Sequence, residues 1–376
     1  QEPSYLGAPY GLASWLLTKD HKRIALLYLI SITIFFAMGS VAAGLIRFEL
    51  TSPTGRMMES ETYNKVFSAH GIIMIFFFLI PSIPAVFGNF FIPIMIGARD
   101  LAFPRLNLAS WYVYMLGGSL FMVSLFLGGV EAGWTFYTPY SSMYANSQVS
   151  LALLGLFLAG FSSIMTGMNF IVTIHKMRAP GMTWFRLPLF VWGHYATSLI
   201  MVLGTPVVAI TLALVIVERT LRIGIFSPEL GGDPVLFQHL FWFLGHPEVY
   251  VLILPAWGIA FDILSTFSRR AIFGYKMIIY SLWTIAFLGS VVWGHHMFVA
   301  GESDLANVIF SALTFLVAIP SGVKMFNWLS TMYKGNISFE TPMLYVLSFL
   351  FLFAIGGLTG LFFATLAVDI HLTDTY

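Results

Sequence analysis

Long apolar segments alternate with short polar loops along the whole chain. Each segment reaches about 20 residues, the length that an α-helix needs to cross the hydrocarbon core of a bilayer. The pattern predicts nine membrane-spanning helices, at about 24–46, 69–96, 109–130, 150–174, 188–216, 238–262, 277–299, 305–326 and 342–366. Because no linker or low-complexity stretch interrupts this series, we expect residues 1–376 to form a single all-α domain, a polytopic membrane helix bundle.

Composition narrows the class of protein further. The chain is 58% hydrophobic and only 9% charged, which excludes a soluble globular fold. Its net charge is +1 and it has no basic patch, so we expect no nucleic-acid partner. The sequence contains no cysteine, and a bound metal must therefore be held by histidine, methionine, carboxylate or carbonyl groups.

The distribution of lysine and arginine predicts the orientation of the chain. If the N-terminus faces the inside, most of the basic residues fall in inner loops, as the positive-inside rule requires. This orientation places Asp100 in an inner loop and brings His295 and His296 close to the outer end of the seventh predicted span. We therefore expect an N-terminus on the inner side.

Two motifs inside the apolar segments carry most of the candidate chemistry: Gly-His-Pro-Glu-Val-Tyr at 245–250 and Trp-Gly-His-His at 293–296. Imidazole and carboxylate groups are costly to place inside a membrane, so we expect these residues to have a functional role. With His70 at the outer start of the second span, we expect His246, His295 and His296 in the same outer third of the membrane. Three imidazoles with an open position are typical of a catalytic copper, zinc or iron site. For any one of them alone, a hydrogen-bonded core histidine is the alternative.

Three more ionisable side chains suit a redox site that also handles protons. Tyr250 lies one helical turn from His246, so both rings should share a helix face. Glu248 has no basic partner nearby in the sequence, and we expect it to be protonated and to shuttle protons. The alternative for Glu248 is a carboxyl group bonded only to the backbone. Lys324, near the inner end of the eighth span, is either a proton carrier or a lysine that snorkels to the membrane surface.

Further motifs extend over essentially the whole chain. They are Ser-Ala-His-Gly at 68–71, Gly-Ala-Arg-Asp-Leu-Ala-Phe-Pro-Arg at 97–105, Pro-Leu-Phe-Val-Trp at 188–192, Ile-Pro-Ser-Gly-Val-Lys at 319–324 and Asp-Thr-Tyr at 374–376. In these motifs the chain resembles subunit I of the haem–copper oxidases, of the cytochrome c oxidase type. The resemblance implies a fold of about twelve helices and a terminal respiratory oxidase. Such an enzyme reduces O2 to water at a high-spin haem and copper centre and pumps protons across the membrane.

The resemblance also implies residue roles and cofactors. It implies copper ligation by His246, His295 and His296, a catalytic tyrosine at Tyr250 linked to His246, and iron ligation in a low-spin haem by His70. The implied cofactors are copper, two haems of the a type, low-spin and high-spin, and magnesium at Asp374. Residues implied to lie near the haems are Arg47, Trp134 and Trp242. Those implied to conduct protons are Asp100, Asn89, Asn107, Ser162, Ser163, Asn169 and Glu248 in one channel, and Lys324 and Ser321 in a second.

Some positions depart from the family pattern. The chain ends at Tyr376, immediately before two further haem-ligand histidines of the family, so we expect a longer polypeptide with additional C-terminal helices. Thr373 replaces a histidine that binds magnesium in relatives, which weakens the magnesium site. Phe261 replaces a serine of the second channel. Arg99 replaces a frequent proline beside Asp100, and its charge should favour the ionised carboxylate.

The electron donor and partners are also expectations. Quinol-oxidising relatives have a polar constellation where this chain has Met38, Ala42, Thr62 and Lys65, which favours cytochrome c as donor. The dinuclear copper centre must then lie on subunit II, and we expect subunit III, other oxidase subunits and a respiratory supercomplex as further partners. We expect a bacterial inner membrane rather than a mitochondrial one. The alternatives are a quinol oxidase, a nitric oxide reductase relative, or a non-redox proton-coupled transporter.

Overall fold

A computed structural model describes Tyr5, Gly7, residues 11–55, residues 57–373 and Thr375. Within these residues the chain forms helices joined by loops and has no strand. The α-helices are α1 (Leu12–Leu16), α2 (His21–Glu49), α3 (Ser60–Ile72), α4 (Asn89–Ile96), α5 (Pro104–Phe126), α6 (Gln148–Lys176), α7 (Leu189–Leu221), α8 (Pro234–Ser268), α9 (Tyr275–Gly289), α10 (Asp304–Met332), α11 (Thr341–Ala364) and α12 (Leu366–Leu372). The π-helical turns Ile73–Leu79 and Ser82–Gly88 join α3 to α4 in one long helix, Ser60–Ile96.

Local sequence signals set several helix ends. The Asp20 side chain caps α2 by accepting hydrogen bonds from the backbone N–H groups of Lys22 (2.8 Å) and Arg23 (3.1 Å). Ser303 caps α10 in the same way, through the N–H of Ala306 at 3.2 Å. Gly97 follows α4 in a left-handed conformation with φ of 73°, which glycine adopts without the cost that a Cβ would add.

Eight helices in the described part of the chain are long and apolar enough to cross a membrane, and they correspond to eight of the nine predicted segments. The remaining segment, 277–299, contains the 15-residue helix α9, which ends at Gly289, and a 3-10 turn over Trp293–Met297. The second membrane-spanning helix begins at Ser60, earlier than its apolar residues indicate. Its polar first turns are joined by an ion pair, in which Nζ of Lys65 lies 2.5 Å from Oε1 of Glu61 one turn earlier. His70 therefore lies within this helix rather than at its start.

The chain divides into two compact units. The first comprises residues 1–179 and 201–241, and the second comprises residues 180–200 and 242–376. In the first unit, α5 and α6 approach closely because glycines face each other. A Cβ on Gly117 would lie 2.5 Å from the carbonyl oxygen of Gly155, and one on Gly155 would lie 2.6 Å from that of Gly117. Small residues allow such close contact between membrane helices.

The second unit contains the histidine motifs. Here the start of α7 packs against α8, where a Cβ on Gly193 would lie 2.5 Å from the carbonyl oxygen of Leu254. A Cβ on Gly258 would likewise lie 2.5 Å from the Cα atom of Phe190. Helices α9, α10, α11 and α12 complete the unit, and α10 contacts both α9 and α11. This packing places the middle of α8 beside the turn that follows α9.

Candidate metal centre and proton-transfer residues

Three histidines of the second unit form a cluster that could hold a metal ion. One ring nitrogen each from His246, His295 and His296 lies within 4.8 Å of the others. His246 comes from the middle of α8, whereas His295 and His296 come from the 3-10 turn after α9. The Nδ1 atom of His246 lies 3.2 Å from Nε2 of His296. The two motifs predicted from the sequence are therefore adjacent in the fold.

Glycines make room for this arrangement. Gly289, the last residue of α9, packs directly against the ring of Tyr250, so a side chain at this position would collide with the phenol. Gly294 packs in the same way against the ring of Phe310 on α10. Because α9 ends here and the chain turns tightly, the two histidines face α8 instead of continuing along a helix.

Neighbouring groups orient the imidazoles. The hydroxyl of Thr314 donates to the carbonyl oxygen of Phe310 (2.6 Å) and lies 3.0 Å from Nδ1 of His295. Since its single proton is already used, the hydroxyl must accept from Nδ1–H, which leaves the lone pair of His295 on Nε2. The indole of Trp242 stacks on His296 with ring centres 3.8 Å apart and an interplanar angle of 9°. The two contacts therefore fix the orientations of the His295 and His296 rings.

We expect Thr314→Val to weaken metal binding. Valine has nearly the same shape but cannot accept from Nδ1 of His295, so the ring is free to rotate and to change tautomer. Loss of such a hydrogen bond to a ligand costs about 10- to 100-fold in metal affinity. Copper titration into the metal-depleted protein measures this loss. Thr314→Ser keeps the hydroxyl and should bind as the native chain does, and equal losses in both variants would contradict the role of the hydroxyl.

Tyr250 and Glu248 lie on α8 next to His246. The rings of His246 and Tyr250 have centres 4.8 Å apart at an angle of 65°, so they share a face of the helix as the one-turn spacing predicts. Glu248 is half-buried in the same helix. A phenol beside a metal centre has both a proton and an electron to give.

A cavity of about 600 Å³ opens beside the histidines, with His246, Tyr250 and His295 at its wall. The rest of its lining is mostly apolar and comes from α8, α10 and α11. A Cβ on Gly357 or Gly360 would meet no atom within 4 Å, so α11 leaves this side of the space clear. The volume lies in the range of cofactor pockets.

The histidine cluster fits the copper that the resemblance implies for this site, and the cavity has room for the macrocycle of a haem. Imidazole nitrogens suit copper, and a centre with three such ligands keeps a position open for chemistry. The neighbouring cavity is apolar and has the size of a cofactor pocket, as a buried macrocycle would need. Asp369 of α12 also lines it and was not singled out by the sequence analysis.

The second-channel residues lie on α10. Ser321 lines the cavity and donates to the carbonyl oxygen of Val317 at 2.9 Å. Lys324 is 0% exposed, and its Nζ atom lies 4.0 Å from the centre of the Trp257 ring. In this structure the amine is buried, so the snorkelling alternative for Lys324 is wrong. Phe261 is also fully buried and packs against Trp328, with ring centres 5.4 Å apart at an angle of 38°.

His70 belongs to the first unit, and its geometry suits a haem ligand. Its Nδ1 atom lies 2.9 Å from the carbonyl oxygen of Gly39. A carbonyl only accepts, so Nδ1 is protonated and Nε2 keeps its lone pair for a metal. Trp134 packs against Gly71, where a Cβ would lie 3.0 Å from that of the tryptophan. Arg47 lies further along α2 from Gly39 and is exposed.

Asp100 lies between two membrane-spanning helices in the first unit. Its carboxylate accepts from the N–H of Leu101 at 2.6 Å. Burial raises its pKa to about 6, and this effect outweighs the hydrogen bonds and the nearby charge of Lys22. Desolvation therefore dominates at Asp100, and the expected contribution of the Arg99 charge stays a prediction.

The three asparagines predicted to line the first channel differ in their bonding. Asn107 is buried, and neither end of its side-chain amide has a hydrogen-bond partner among the described residues. The Oδ1 atom of buried Asn89 is likewise without one. Buried polar groups without a protein partner usually form hydrogen bonds with water. Both ends of the Asn169 amide instead bond the backbone of Phe103 at 3.0 Å, so Asn169 fastens the loop that carries Asp100.

Ser162 and Ser163 line a small cavity of about 20 Å³, enough for about one water molecule. Tyr28 and Thr166 line it as well, and both were missed in the sequence analysis. The Tyr28 hydroxyl lies 3.1 Å from the Ser162 hydroxyl. The sequence could have indicated Thr166, because its spacing places it one helical turn from Ser162 on α6. In the structure its hydroxyl donates to the carbonyl oxygen of Ser162 at 3.1 Å. Asp374, the predicted magnesium ligand, lies outside the described residues.

The chain is thus a polytopic membrane protein with a three-histidine cluster beside a cofactor-sized cavity. A family model described as "Cytochrome C and Quinol oxidase polypeptide I" matches residues 23–376. The chain is 42% identical over 366 residues to "Cytochrome c oxidase subunit 1" of Bacillus subtilis (strain 168), covering 97% of this chain and 59% of that protein. It is 44% identical over 367 residues to "Quinol oxidase subunit 1" of the same strain, covering 97% and 56%.

A solved structure described as "a heme-copper terminal oxidase dimer" has the same fold, with a TM-score of 0.80. The sequence identity is 21%, and the match covers 94% of this chain and 63% of that one. The chain belongs to the family of subunit I of the cytochrome c and quinol oxidases, and it is an integral membrane protein. The predicted family and all-α membrane fold are thus confirmed. The chain spans less than two thirds of the length of these relatives.

Proposed function

We propose that this chain forms the catalytic part of a terminal respiratory oxidase, which reduces O2 to water and pumps protons. The observation that carries the proposal is the cluster of His246, His295 and His296 beside Tyr250, at the wall of the apolar cavity. In this proposal the three histidines hold copper and the cavity holds the high-spin haem of the a type. Bound there, copper and haem supply the electron transfer and the O2-binding site.

The residues of this chain position these groups and handle protons. Thr314 and Trp242 keep the rings of His295 and His296 in place. Tyr250 is close enough to the centre to give up a proton from its hydroxyl. Glu248 holds a proton within the membrane, and Asp100 loads one at the surface. His70 holds the low-spin haem, with Arg47 and Trp134 near it.

The proposed electron donor is cytochrome c, through a dinuclear copper centre on subunit II. This part rests on the sequence, because the polar constellation of quinol-oxidising relatives is replaced by Met38, Ala42, Thr62 and Lys65. The donor side would be the outer face and the N-terminus would lie inside. Subunit III is a further proposed partner. Turnover with reduced cytochrome c, compared with turnover with a quinol, separates the two donors directly.

The decisive experiment is a reduced-minus-oxidised optical spectrum of the purified complex, with and without carbon monoxide, together with metal analysis. We expect two haems, of which one binds carbon monoxide, and one copper at the proposed centre. A pyridine haemochrome spectrum identifies the haem type. A complex without haem and copper would overturn the proposal and favour a non-redox membrane protein. A site that holds iron in place of copper would favour a nitric oxide reductase.

We expect Asp100→Asn to slow turnover by about a hundredfold and to change its pH dependence. The pKa of Asp100 is raised to about 6, so the protonated fraction that can donate falls as the pH rises above 6. Native turnover limited by this step should decline through that range, and the decline should disappear in the variant. Glu340→Gln is the matched control, since this exposed carboxyl group is not among those that shift the pKa of Asp100, and we expect it to keep the native pH profile. An unchanged pH profile in Asp100→Asn would contradict the role.

A further inference from the structure

Lys324 is an unusual cation for a membrane helix. It is fully buried in α10, and its Nζ atom has no hydrogen-bond partner among the described residues. A buried amine without a hydrogen bond is costly, and more so when charged. Among the described residues, the stabilising contact recorded for this atom is the face of Trp257, whose ring centre is 4.0 Å away. This distance is well within the range of a cation–π interaction.

Trp257 also forms part of the cavity wall. Its ring lines the cavity that Tyr250 and His246 line. On α10 the residues beside Lys324, namely Ser321, Gly322 and Met325, reach the cavity as well, but Lys324 does not. The indole therefore contacts the amine and borders the cavity.

The Trp257 ring is held by packing alone. Its Nε1 atom has no hydrogen-bond partner in the described part of the chain, and its aromatic neighbours are Phe353 at 5.6 Å and Trp328 at 6.4 Å. A Cβ on Gly322 would meet nothing within 4 Å, so there is space on the α10 side of the cavity. The ring can thus turn without breaking a hydrogen bond.

Trp328 offers a contrast within the same aromatic cluster. It is also fully buried and also lacks a partner for Nε1, but it packs against three phenylalanines, Phe261, Phe349 and Phe353, at 5.4 to 5.8 Å. It does not line the cavity and does not face the amine. Simple filling of space therefore accounts for Trp328, whereas the position of Trp257 between an amine and a cavity needs a further explanation.

We propose that Trp257 is a positioning residue that gates Lys324, holding its amine against the indole and apart from the cavity until the ring turns. When the ring turns, an N–H bond of the ammonium breaks, its proton passes to a water molecule in the cavity, and a neutral amine remains to be reprotonated. The inference rests on the proposed function, because only a cavity that consumes protons makes such a gate useful.

A double-mutant cycle tests the gate in the intact oxidase. Trp257→Phe keeps an aromatic ring but weakens the cation–π contact and reduces the bulk. We expect it to speed the Lys324-dependent reduction of the high-spin haem, followed anaerobically by stopped flow, by about tenfold. In a Lys324→Met background the same change should have no effect, and Trp328→Phe should have none in either background. Equal effects of Trp257→Phe with and without the lysine would overturn the gate, as would no effect in its presence.

A second readout does not depend on activity. Ultraviolet resonance Raman spectra report the contact of an indole with a cation, so native protein minus Lys324→Met should show a tryptophan difference signal. This signal should persist in a Trp328→Phe background and vanish in a Trp257→Phe background. Its absence from the native protein would overturn the contact. A preparation without haem removes the proposed function and the gate together, whereas a haem-containing protein with additive mutational effects removes the gate only.

Discussion

His295→Ala is expected to abolish copper binding and to lower O2 reduction by at least about a hundredfold. His295 supplies one of the three imidazole nitrogens of the cluster, and Thr314 holds its ring in position. Losing even a hydrogen bond to a ligand costs 10- to 100-fold, so losing the ligand itself should cost more. The low-spin haem should remain, because His70 lies in the other compact unit. Copper content, O2 consumption and the low-spin haem spectrum measure these effects on one preparation.

A matched control is His175→Ala. This histidine lies in the last turn of α6, is exposed and is outside the cluster. The His175→Ala substitution removes an imidazole that is not a proposed ligand, and we expect native copper content and turnover. Full copper occupancy in His295→Ala would refute the ligand assignment. Loss of copper in both variants would point to a general defect in assembly rather than to coordination.

Glu248→Gln is expected to lower turnover by about a hundredfold or more while haem and copper stay bound. Glutamine has almost the same shape as a protonated glutamic acid, so the packing of half-buried Glu248 in α8 should survive. It lacks the exchangeable acidic proton, and loss of a proton-transfer group typically costs about 10²- to 10⁴-fold. O2 consumption and proton uptake by the oxidase in vesicles, measured with a pH-sensitive dye, check the expectation.

Two further variants define the Glu248 effect. Glu248→Asp keeps the acid and should restore part of the turnover, since only the reach of the carboxyl group changes. Glu340→Gln removes an exposed carboxyl group before α11 and should behave as the native chain does. Native turnover in Glu248→Gln would exclude this residue from the mechanism.

Periodicity and segment length predicted the local features well. The contact of His246 with Tyr250 follows from one helical turn on α8, and the apolar lengths identified eight of the long helices. The segment 277–299 shows the limit of this reasoning. Its composition is apolar throughout, but α9 ends at Gly289, because the close approach of Tyr250 and the tight turn decide the path of the chain.

Long-range contacts were not predictable from spacing. Thr314 orients His295 from a different helix, and Trp242 stacks on His296, although nothing in the motif 293–296 indicates either partner. The same holds for Lys324, whose sequence position near a span end suggested a snorkelling lysine as readily as a buried one. Only the packing of α8 against α10 places its amine under Trp257.

The sequence by itself determined the membrane class, the all-α fold and the identity of the candidate ligands. It could do so because the cost of exposing polar groups to lipid acts on every residue locally and leaves a pattern along the chain. The tertiary structure alone decided that nitrogens 50 residues apart in sequence meet at 3.2 Å and that a cavity lies beside them. It also decided that burial raises the pKa of Asp100, because burial depends on residues that are distant in the chain.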